Sequence, residues 1–325
     1  MQFDYIVAGG GAAGCLLANR LSANPSNRVL LLEAGGAGNT LWFKVPVGYR
    51  YTIGNPDSDW CFAGQPEPAL NGRVLKHPRG KVLGGSTAIN GMVCIRGQAA
   101  DYDAWRDAGL AGWGWADVLP HFKSIETHVL GASAYHGDSG GWQVDSARMW
   151  WPMLDAVRAA AVQAGIATTE DFNLGDNEGV GPIHVNQHKG QRWSAADGFL
   201  KPVRHRPNLR VETGALVDRV VFNQGRASGV VWHNDGVQRS AEASREVVLT
   251  AGAFGSPQIL MRSGIGPADH LGTQGIGVVS DRPGVGANLQ DHFQIGLRYQ
   301  LEHAKTLNPL MNSLAGKAGM ALRYA

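Results

Sequence analysis

The fold is decided by residues 3–33, whose sequence is FDYIVAGGGAAGCLLANRLSANPSNRVLLLE. A short apolar run over residues 3–8 predicts a strand, and three glycines follow it. The alanine- and leucine-rich residues 12–21 predict a helix, and the apolar residues 29–32 predict a second buried strand. A strand, a glycine turn, a helix and a strand form a βαβ unit, in which the two strands are parallel.

The glycines of this stretch match the fingerprint of a dinucleotide-binding fold. Gly9 permits a tight turn, Gly11 lets the backbone approach a pyrophosphate, and Gly14 permits close packing of helix on strand. The N-terminus of the helix then offers unpaired amides to the phosphates. Glu33, about 20 residues further on, can accept hydrogen bonds from ribose hydroxyls. A bound dinucleotide is therefore predicted, either NAD or FAD, with candidate ligand-binding residues Gly9, Gly11, Ala12, Ala13, Gly14, Glu33 and Ala34.

The composition is that of a globular enzyme. Of 325 residues, 44% are hydrophobic and 17% charged, and the formal net charge is only +2 with both signs interspersed. This charge balance does not favour a nucleic-acid surface. We find no signal-peptide pattern and no apolar run long enough to span a bilayer, so a cytoplasmic location without a transmembrane segment is predicted. Cys15, Cys61 and Cys94 lack metal-type spacing and are predicted to be free thiols.

The middle of the chain alternates between loops, helices and short strands. Residues 35–79 are rich in Gly, Pro, Asn and Trp and predict long loops wrapped over a ligand. From residue 209 onward, short β-rich runs are separated by turns at Asn223-Gln224-Gly225 and Asn234-Asp235-Gly236, which predicts an antiparallel meander. Separate strands are expected at residues 237–241 and 247–250. Helices are expected at residues 101–108, 115–122, 151–165 and 256–262.

A second glycine segment, residues 79–91, has the sequence RGKVLGGSTAING. The Gly84-Gly85 pair allows backbone to lie close to a large ligand, and Ser86 and Asn90 offer hydrogen-bonding groups. Composition alone also permits a glycine-rich surface loop. This segment adds Gly84, Ser86 and Asn90 to the candidate cofactor-binding residues.

Two longer segments resemble the signatures of the glucose-methanol-choline oxidoreductases. Residues 80–103 are similar to the first signature of that family, and residues 252–267, GAFGSPQILMRSGIGP, are similar to the second. Shorter similarities follow the family's order at residues 33–35, 192–196, 206–209 and 283–292. The resemblance covers nearly the whole chain and implies FAD rather than NAD.

The resemblance also implies positions for the cofactor. The isoalloxazine ring is expected against residues 86–93, and the motif match makes Ser86, Asn90, Gly91 and Val93 candidate neighbours of the flavin and the pyrophosphate. The adenine is expected near the backbone of Val217, and the strand end at Ala251 and Gly252 is expected beside the cofactor. Some relatives tether FAD through a histidine in the first signature. Here the corresponding positions are Ser86, Thr87 and Ala88, so we expect non-covalent FAD.

The fold class predicted from these features is α/β, with a Rossmann-like FAD-binding domain over residues 1–297 that contains the βαβ unit and the meander. Residues 298–325 are expected to begin an incomplete α+β substrate-binding domain. In the family the catalytic base is a histidine on a C-terminal segment. His303 is the histidine in residues 293–325, and its context does not match. The catalytic residues are therefore unknown, the base is expected beyond residue 325, and the chain alone is expected to be inactive.

The predicted function is FAD-dependent oxidation of the CH–OH group of a primary alcohol, choline-type or aromatic, with hydride passing to flavin N5. The electron acceptor is expected to be oxygen or a quinone or other carrier. A hydroxynitrile lyase and a non-catalytic flavin-binding remnant of the same family remain alternatives. His184 and His188 are four residues apart, but their surroundings are strand-like and no third ligand is evident, so no metal site is predicted.

Overall fold

The computed structural model describes residues 1–292, 295–301 and 306–324, and the chain divides into two compact units. The first unit comprises Met1–Gly91 and Trp193–His292, and the second comprises Met92–Arg192 and Phe293–Ala325. His303 lies outside the described residues. The domain boundary between residues 297 and 298 stays a prediction.

The first unit is built on a six-stranded mixed sheet. Its strands in chain order are β1 (Gln2–Ala8), β2 (Val29–Leu32), β3 (Leu209–Glu212), β4 (Leu216–Asn223), β5 (Arg226–Asn234) and β6 (Val237–Leu249). The spatial order is β3-β2-β1-β6-β5-β4, in which β3, β2, β1 and β6 are parallel neighbours and β6, β5 and β4 are antiparallel. The predicted α/β class, βαβ unit and meander are confirmed.

Two strand predictions are corrected by the sheet. β6 is one continuous strand where two were expected, because its first half pairs with β5 and its second half with β1. Both neighbours supply backbone hydrogen bonds, so the polar residues in its middle do not interrupt it. β3 pairs parallel with β2 instead of joining the meander.

The core of this sheet is formed by buried apolar residues of its central strands. All four residues of β2 are buried, as are Ile6, Val7 and Ala8 of β1 and Trp232 of β5. This continuous apolar pattern is typical of strands covered on both faces.

Helices connect and flank the sheet. Helix α1 (Ala12–Leu21) follows β1 with the predicted bounds, and helix α2 (Gly252–Arg262) begins four residues earlier than expected. Shorter helices lie at Tyr49–Thr52 and Ala268–Thr273, and short strand pairs form between Phe62–Ala63 and Lys76–His77 and between Ile265–Gly266 and Ser280–Asp281. Residues 35–79 are otherwise loops and single turns, as predicted.

The second unit combines helices with small sheets. Its helices are Ala99–Asp107, Trp115–Ile125, Pro152–Gln163, Asn308–Met311 and Leu314–Tyr324. Its strands Glu126–His128, Trp142–Ser146 and His184–Val185 form one sheet, and Gln187–His188 pairs with Gln191–Arg192. The strand-like prediction around His184 is confirmed. No helix in the described part of the chain is both long and apolar enough to cross a bilayer; the cytoplasmic location stays a prediction.

Candidate cofactor site

A cleft of about 720 Å³ opens at the carboxyl ends of β1, β2 and β6, within the first unit. Ligands of open α/β sheets bind at such strand ends, and cleft volumes of about 300–1,000 Å³ suit small molecules and cofactors. The cleft is lined by the ends of these strands, the start of α1, the second glycine segment, β4 and one side of α2.

The first glycine turn shows why its residues are glycines. Gly9 has a φ of +113°, and a Cβ there would lie 2.5 Å from the carbonyl oxygen of Thr250. A Cβ at Gly14 would lie 1.9 Å from the carbonyl oxygen of Gly9, so α1 packs directly on the turn. At Gly11 the nearest atom to a Cβ is 3.9 Å away, which leaves backbone open toward the cleft.

Glu33 lies buried beneath this turn. Its Oε2 accepts a hydrogen bond from the amide of Gly10 at 2.8 Å, and its Oε1 accepts one from Gly35 at 2.8 Å. Burial raises the pKa of the Glu33 carboxyl, although both hydrogen bonds and the charge of Lys81 oppose this rise. Each carboxylate oxygen has two lone pairs, so Glu33 can accept these backbone hydrogen bonds and also accept one from a ligand hydroxyl.

The second glycine segment lies directly against the first. The amide of Gly84 donates to the carbonyl oxygen of Gly10 at 2.8 Å. Gly85 has a φ of +55°, and a Cβ there would lie 2.8 Å from the Cα of Gly11. Backbone therefore meets backbone, and the two segments form one continuous wall of the cleft.

The hydroxyls that follow this contact are partly used by the protein itself. Ser86 Oγ accepts a hydrogen bond from the amide of Gly80 at 3.1 Å, and Ser86 lines the cleft. Thr87 Oγ1 donates to the carbonyl oxygen of Gly84 at 2.6 Å and accepts from the amide of Ala195 at 3.0 Å. Ala88 is buried.

The structure brings most of the predicted cofactor-binding residues to this cleft: Gly9, Gly11, Ala12, Ala13, Glu33, Ala34, Ser86, Val217, Ala251 and Gly252. Gly14 and Gly84 are buried and do not line the cleft. Asn90 is half-buried, with its amide donating to the carbonyl oxygen of Ser86 at 2.9 Å, and Gly91 is exposed. Val93 belongs to the second unit and is 51% exposed.

An aromatic group that sequence reasoning missed lines another part of the cleft. Trp60 and Phe62 stack with ring centroids 5.6 Å apart, and Phe62 stacks on Phe254 at 5.3 Å. The guanidinium of Arg79 lies 5.1 Å from the centre of the Phe254 ring. The one available signal was the loop-rich composition of residues 35–79, which predicted loops over a ligand without showing which side chains face it.

A charged cluster at the β4 side of the cleft was also missed. Asp218 is buried and paired with Arg262, whose Nε donates to Asp218 Oδ1 at 2.9 Å, and with Arg219. Although burial opposes it, hydrogen bonds from these arginines hold the pKa of the Asp218 carboxyl below its usual range. Asp218 and Arg262 line the cleft. They are 44 residues apart, so the sequence carried no signal of their pairing.

A separate buried cluster in the second unit bears on the metal prediction. Within the described residues, one group has atoms placed as metal ligands would be: His128, Asp171 and His184, with ligand atoms within 4.8 Å of one another. His136 faces Glu126 Oε1 at 2.7 Å and Asp171 Oδ2 at 2.5 Å, and donating to both carboxylates requires the doubly protonated imidazolium.

The charge balance of this cluster does not favour a metal. Burial opposes protonation, but the carboxylates of Glu126 and Asp171 raise the pKa of His136. Arg96 donates to Glu126 Oε2 at 2.6 Å. With His136 protonated, Arg96 and His136 balance the charges of Glu126 and Asp171. His128 stacks on His136 at 3.7 Å between ring centres. A divalent cation would add uncompensated buried charge, which is costly. The absence of a metal stays a prediction.

Comparison with known families decides what this site belongs to. The family profile described as GMC oxidoreductase matches residues 3–294, which is most of the chain. The chain belongs to the GMC oxidoreductase family. Members of this family are FAD-binding flavoproteins, so the predicted family and its cofactor class are confirmed.

Several curated relatives of this chain are choline dehydrogenases. The chain is 42% identical over 320 residues to "Choline dehydrogenase, mitochondrial" of Mus musculus, covering 96% of this chain and 54% of the relative. It is 44% identical over 294 residues to "Oxygen-dependent choline dehydrogenase" of Rhizobium etli, covering 90% of this chain and 53% of the relative. The chain thus spans about half the length of the curated relatives it matches.

Solved GMC-type structures share the fold. An FAD-dependent oxidoreductase from Chaetomium thermophilum superposes with a TM-score of 0.89 at 30% identity, covering 99% of this chain and 58% of that one. Pyridoxine 4-oxidase from Mesorbium loti superposes with a TM-score of 0.83 at 36% identity, covering 87% of this chain and 56% of that one.

Proposed function

We propose that this chain binds FAD non-covalently in the cleft of its first unit and serves the oxidation of a primary alcohol of the choline class. The observation that carries the proposal is the cleft at the ends of β1, β2 and β6, where both glycine segments meet. The 42–44% identity to choline dehydrogenases supports the substrate class. The electron acceptor in this proposal is oxygen or a quinone or other carrier.

The residues present fit a dinucleotide. The amides at the start of α1 have no side-chain cap, and Ala12 and Ala13 are exposed at the cleft. Helix N-termini of this kind bind phosphates through amide hydrogen bonds and the helix dipole. A Cβ at Gly252 would meet no heavy atom within 4 Å, and Gly11 is similarly open. Together these leave a backbone-lined cradle that side chains do not fill.

Each part of the cleft has a role in this proposal. The start of α1 would bind the diphosphate, Glu33 would accept hydrogen bonds from the ribose hydroxyls, and the backbone of β4 at Val217 would contact the adenine. When bound, FAD supplies the hydride acceptor for alcohol oxidation. Non-covalent binding is supported by Ser86, Thr87 and Ala88, because none of these side chains is a histidine that could form a tether.

Alcohol oxidation also requires a base for the hydroxyl proton. Of the described residues that line the cleft, His233 is the only histidine, and it lies on β5 opposite Leu216 of β4. That places it on the β4 side, away from Ser86 and the second glycine segment. We therefore expect the 325-residue chain to be reduced by alcohol more slowly than the ~1 s⁻¹ lower end of typical turnover.

A visible spectrum of the purified protein tests the proposal. We expect flavin absorption bands, release of the flavin into the supernatant on acid precipitation, and slow anaerobic bleaching by choline but not by glycine betaine, which lacks the alcohol. A protein that binds no FAD would refute the binding proposal. Bleaching by choline at the rate of typical turnover would refute the expectation that this chain lacks its base, while leaving the binding proposal in place.

A further inference from the structure

Arg262 and Asp218 form an ion pair that lines the cleft but belongs to neither glycine segment. The side chain of Asp218 is only 8% exposed, whereas that of Arg262 is 61% exposed. The guanidinium is therefore anchored on one side by a buried carboxylate and is open on the other. Both residues line the cleft.

The contacts hold Arg262 in a defined place. Its Nε donates to Asp218 Oδ1 at 2.9 Å and also lies 3.2 Å from the backbone oxygen of Asp218, and its Nη2 donates to Oδ1. An arginine bound by several hydrogen bonds to one partner loses much of its freedom before any ligand arrives. Such pre-organisation reduces the entropic cost of binding.

The same pair ties α2 to β4. Arg262 is the last residue of α2, and Asp218 follows Val217 in β4. Beside it, the amide of Val220 donates to Ser263 Oγ at 2.8 Å, and Ser263 is buried. The backbone of β4 at Val217 is therefore fixed against the end of α2 by two side-chain contacts.

The location distinguishes this pair from the phosphate-binding turn. α2 starts at Gly252 beside the first glycine turn and, with 11 residues at about 1.5 Å each, ends roughly 15 Å away. Arg262 is thus remote from the amides of α1. In the proposed binding mode this part of the cleft receives the adenine, because Val217 lies there.

We propose that Arg262, anchored by Asp218, is a binding residue for the adenine end of the dinucleotide, with its planar guanidinium lying against the base. This inference rests on the proposed binding of FAD. Asp218 is a positioning residue, since its carboxylate is engaged by arginines and buried. Guanidinium groups stack favourably on aromatic faces, and the interaction strengthens when water is excluded.

The chain offers a matched control in Arg219. Arg219 is also paired with Asp218 and its side chain is 45% exposed, but it does not line the cleft. Arg219→Ala and Arg262→Ala each remove one arginine from the same carboxylate. Arg262→Ala also removes the tie between α2 and β4, so urea unfolding of the flavin-free variants measures that structural cost separately. Only Arg262→Ala removes the proposed contact with the base.

The test measures the Kd values of FAD and ADP for the flavin-free 325-residue protein by calorimetry. Arg262→Ala should raise both Kd values by the same factor, about tenfold, whereas Arg219→Ala should change them less than about twofold. Arg262→Lys keeps the charge without the planar group and should resemble Arg262→Ala. Asp218→Asn weakens the anchoring of the guanidinium, so it should raise the Kd of ADP in the otherwise unaltered protein. The same substitution should leave the Kd of ADP unchanged in the Arg262→Ala variant.

Several results would overturn the inference. Unchanged FAD and ADP affinity in Arg262→Ala, or an equal loss in Arg219→Ala, would assign Arg262 a purely structural role. Full affinity in Arg262→Lys would show that only charge matters. Each of these results leaves FAD binding by the unaltered protein in place, so the proposed function would stand. Failure of the unaltered protein to bind FAD would refute both.

Discussion

The contact between the two glycine segments can be tested by adding one methyl group at Gly85. In Gly85→Ala the new Cβ would lie 2.8 Å from the Cα of Gly11, and the residue would keep a φ of +55°. A left-handed alanine costs about 1–2 kcal/mol, and overpacking against atoms that cannot rotate away costs about 1–3 kcal/mol. The expected loss in the free energy of unfolding is therefore about 2–5 kcal/mol.

The same substitution should weaken FAD binding, because the atom that must move belongs to the first glycine turn, which we propose binds the diphosphate. Losing one hydrogen bond to a charged phosphate costs about 1.5–3 kcal/mol, or about 10- to 150-fold in Kd. The measurements are urea unfolding of the flavin-free protein, followed by tryptophan fluorescence, and a titration with FAD followed by quenching of flavin fluorescence.

Two further variants separate the causes. Gly277→Ala is the matched control, because a Cβ there meets no heavy atom within 4 Å and its φ is not in the left-handed region. Gly85→Asn tolerates a positive φ but keeps the close Cβ. If Gly85→Ala matched Gly277→Ala in both assays, or if Gly85→Asn behaved like the unaltered protein, the argument from backbone contact would be wrong.

Three other predictions concern single side chains. Asp218→Asn should lower the free energy of unfolding by about 1–2 kcal/mol, since the buried carboxylate loses charge-assisted hydrogen bonds. Burial raises the pKa of Asp218, but its arginine partners lower it by more, so the net pKa lies below the usual value of 3.8. In urea titrations the difference in stability between variant and unaltered protein should therefore be constant above about pH 5 and shrink as the pH falls below 3.8. Iodoacetamide at pH 8 should modify the exposed Cys61 on the order of 100-fold faster than the buried Cys15, because burial raises the pKa of Cys15 to about 12. Equal rates of modification in peptide mass mapping would contradict this. Gln224→Asn should stabilise the protein by about 0.5 kcal/mol in urea, because Gln224 has a φ of +50° in a tight hairpin and asparagine adopts this conformation more readily; a lower midpoint would contradict it.

Much of the first unit follows from local sequence. The bounds of α1 and β2 were predicted from residues that are neighbours in the chain, because helix and strand periodicity and glycine turns act over a few residues. The hairpin turns were predicted for the same reason, and Gln224-Gly225 and Asp235-Gly236 both adopt the left-handed pair of conformations. The family resemblance was also determined by sequence alone, since its motifs are contiguous segments.

Local pattern was less reliable where neighbours in space override it. The polar residues in the middle of β6 predicted an interruption, but pairing with β5 on one half and β1 on the other keeps the strand continuous. β3 resembles the following strands in composition, yet it pairs with β2 across the sheet. The pairing partner of a strand is a long-range property that its own residues do not encode.

The walls of the cofactor cleft were decided only by tertiary structure. The contact of Gly85 with Gly11, the stack of Phe62 on Phe254 and the pair of Asp218 with Arg262 join residues that are tens to hundreds of positions apart. The sequence determined that a dinucleotide turn, a second glycine segment and two family signatures exist. Their assembly into one cleft depends on strand order and on the packing of α1 and α2, because only these bring distant segments within contact distance.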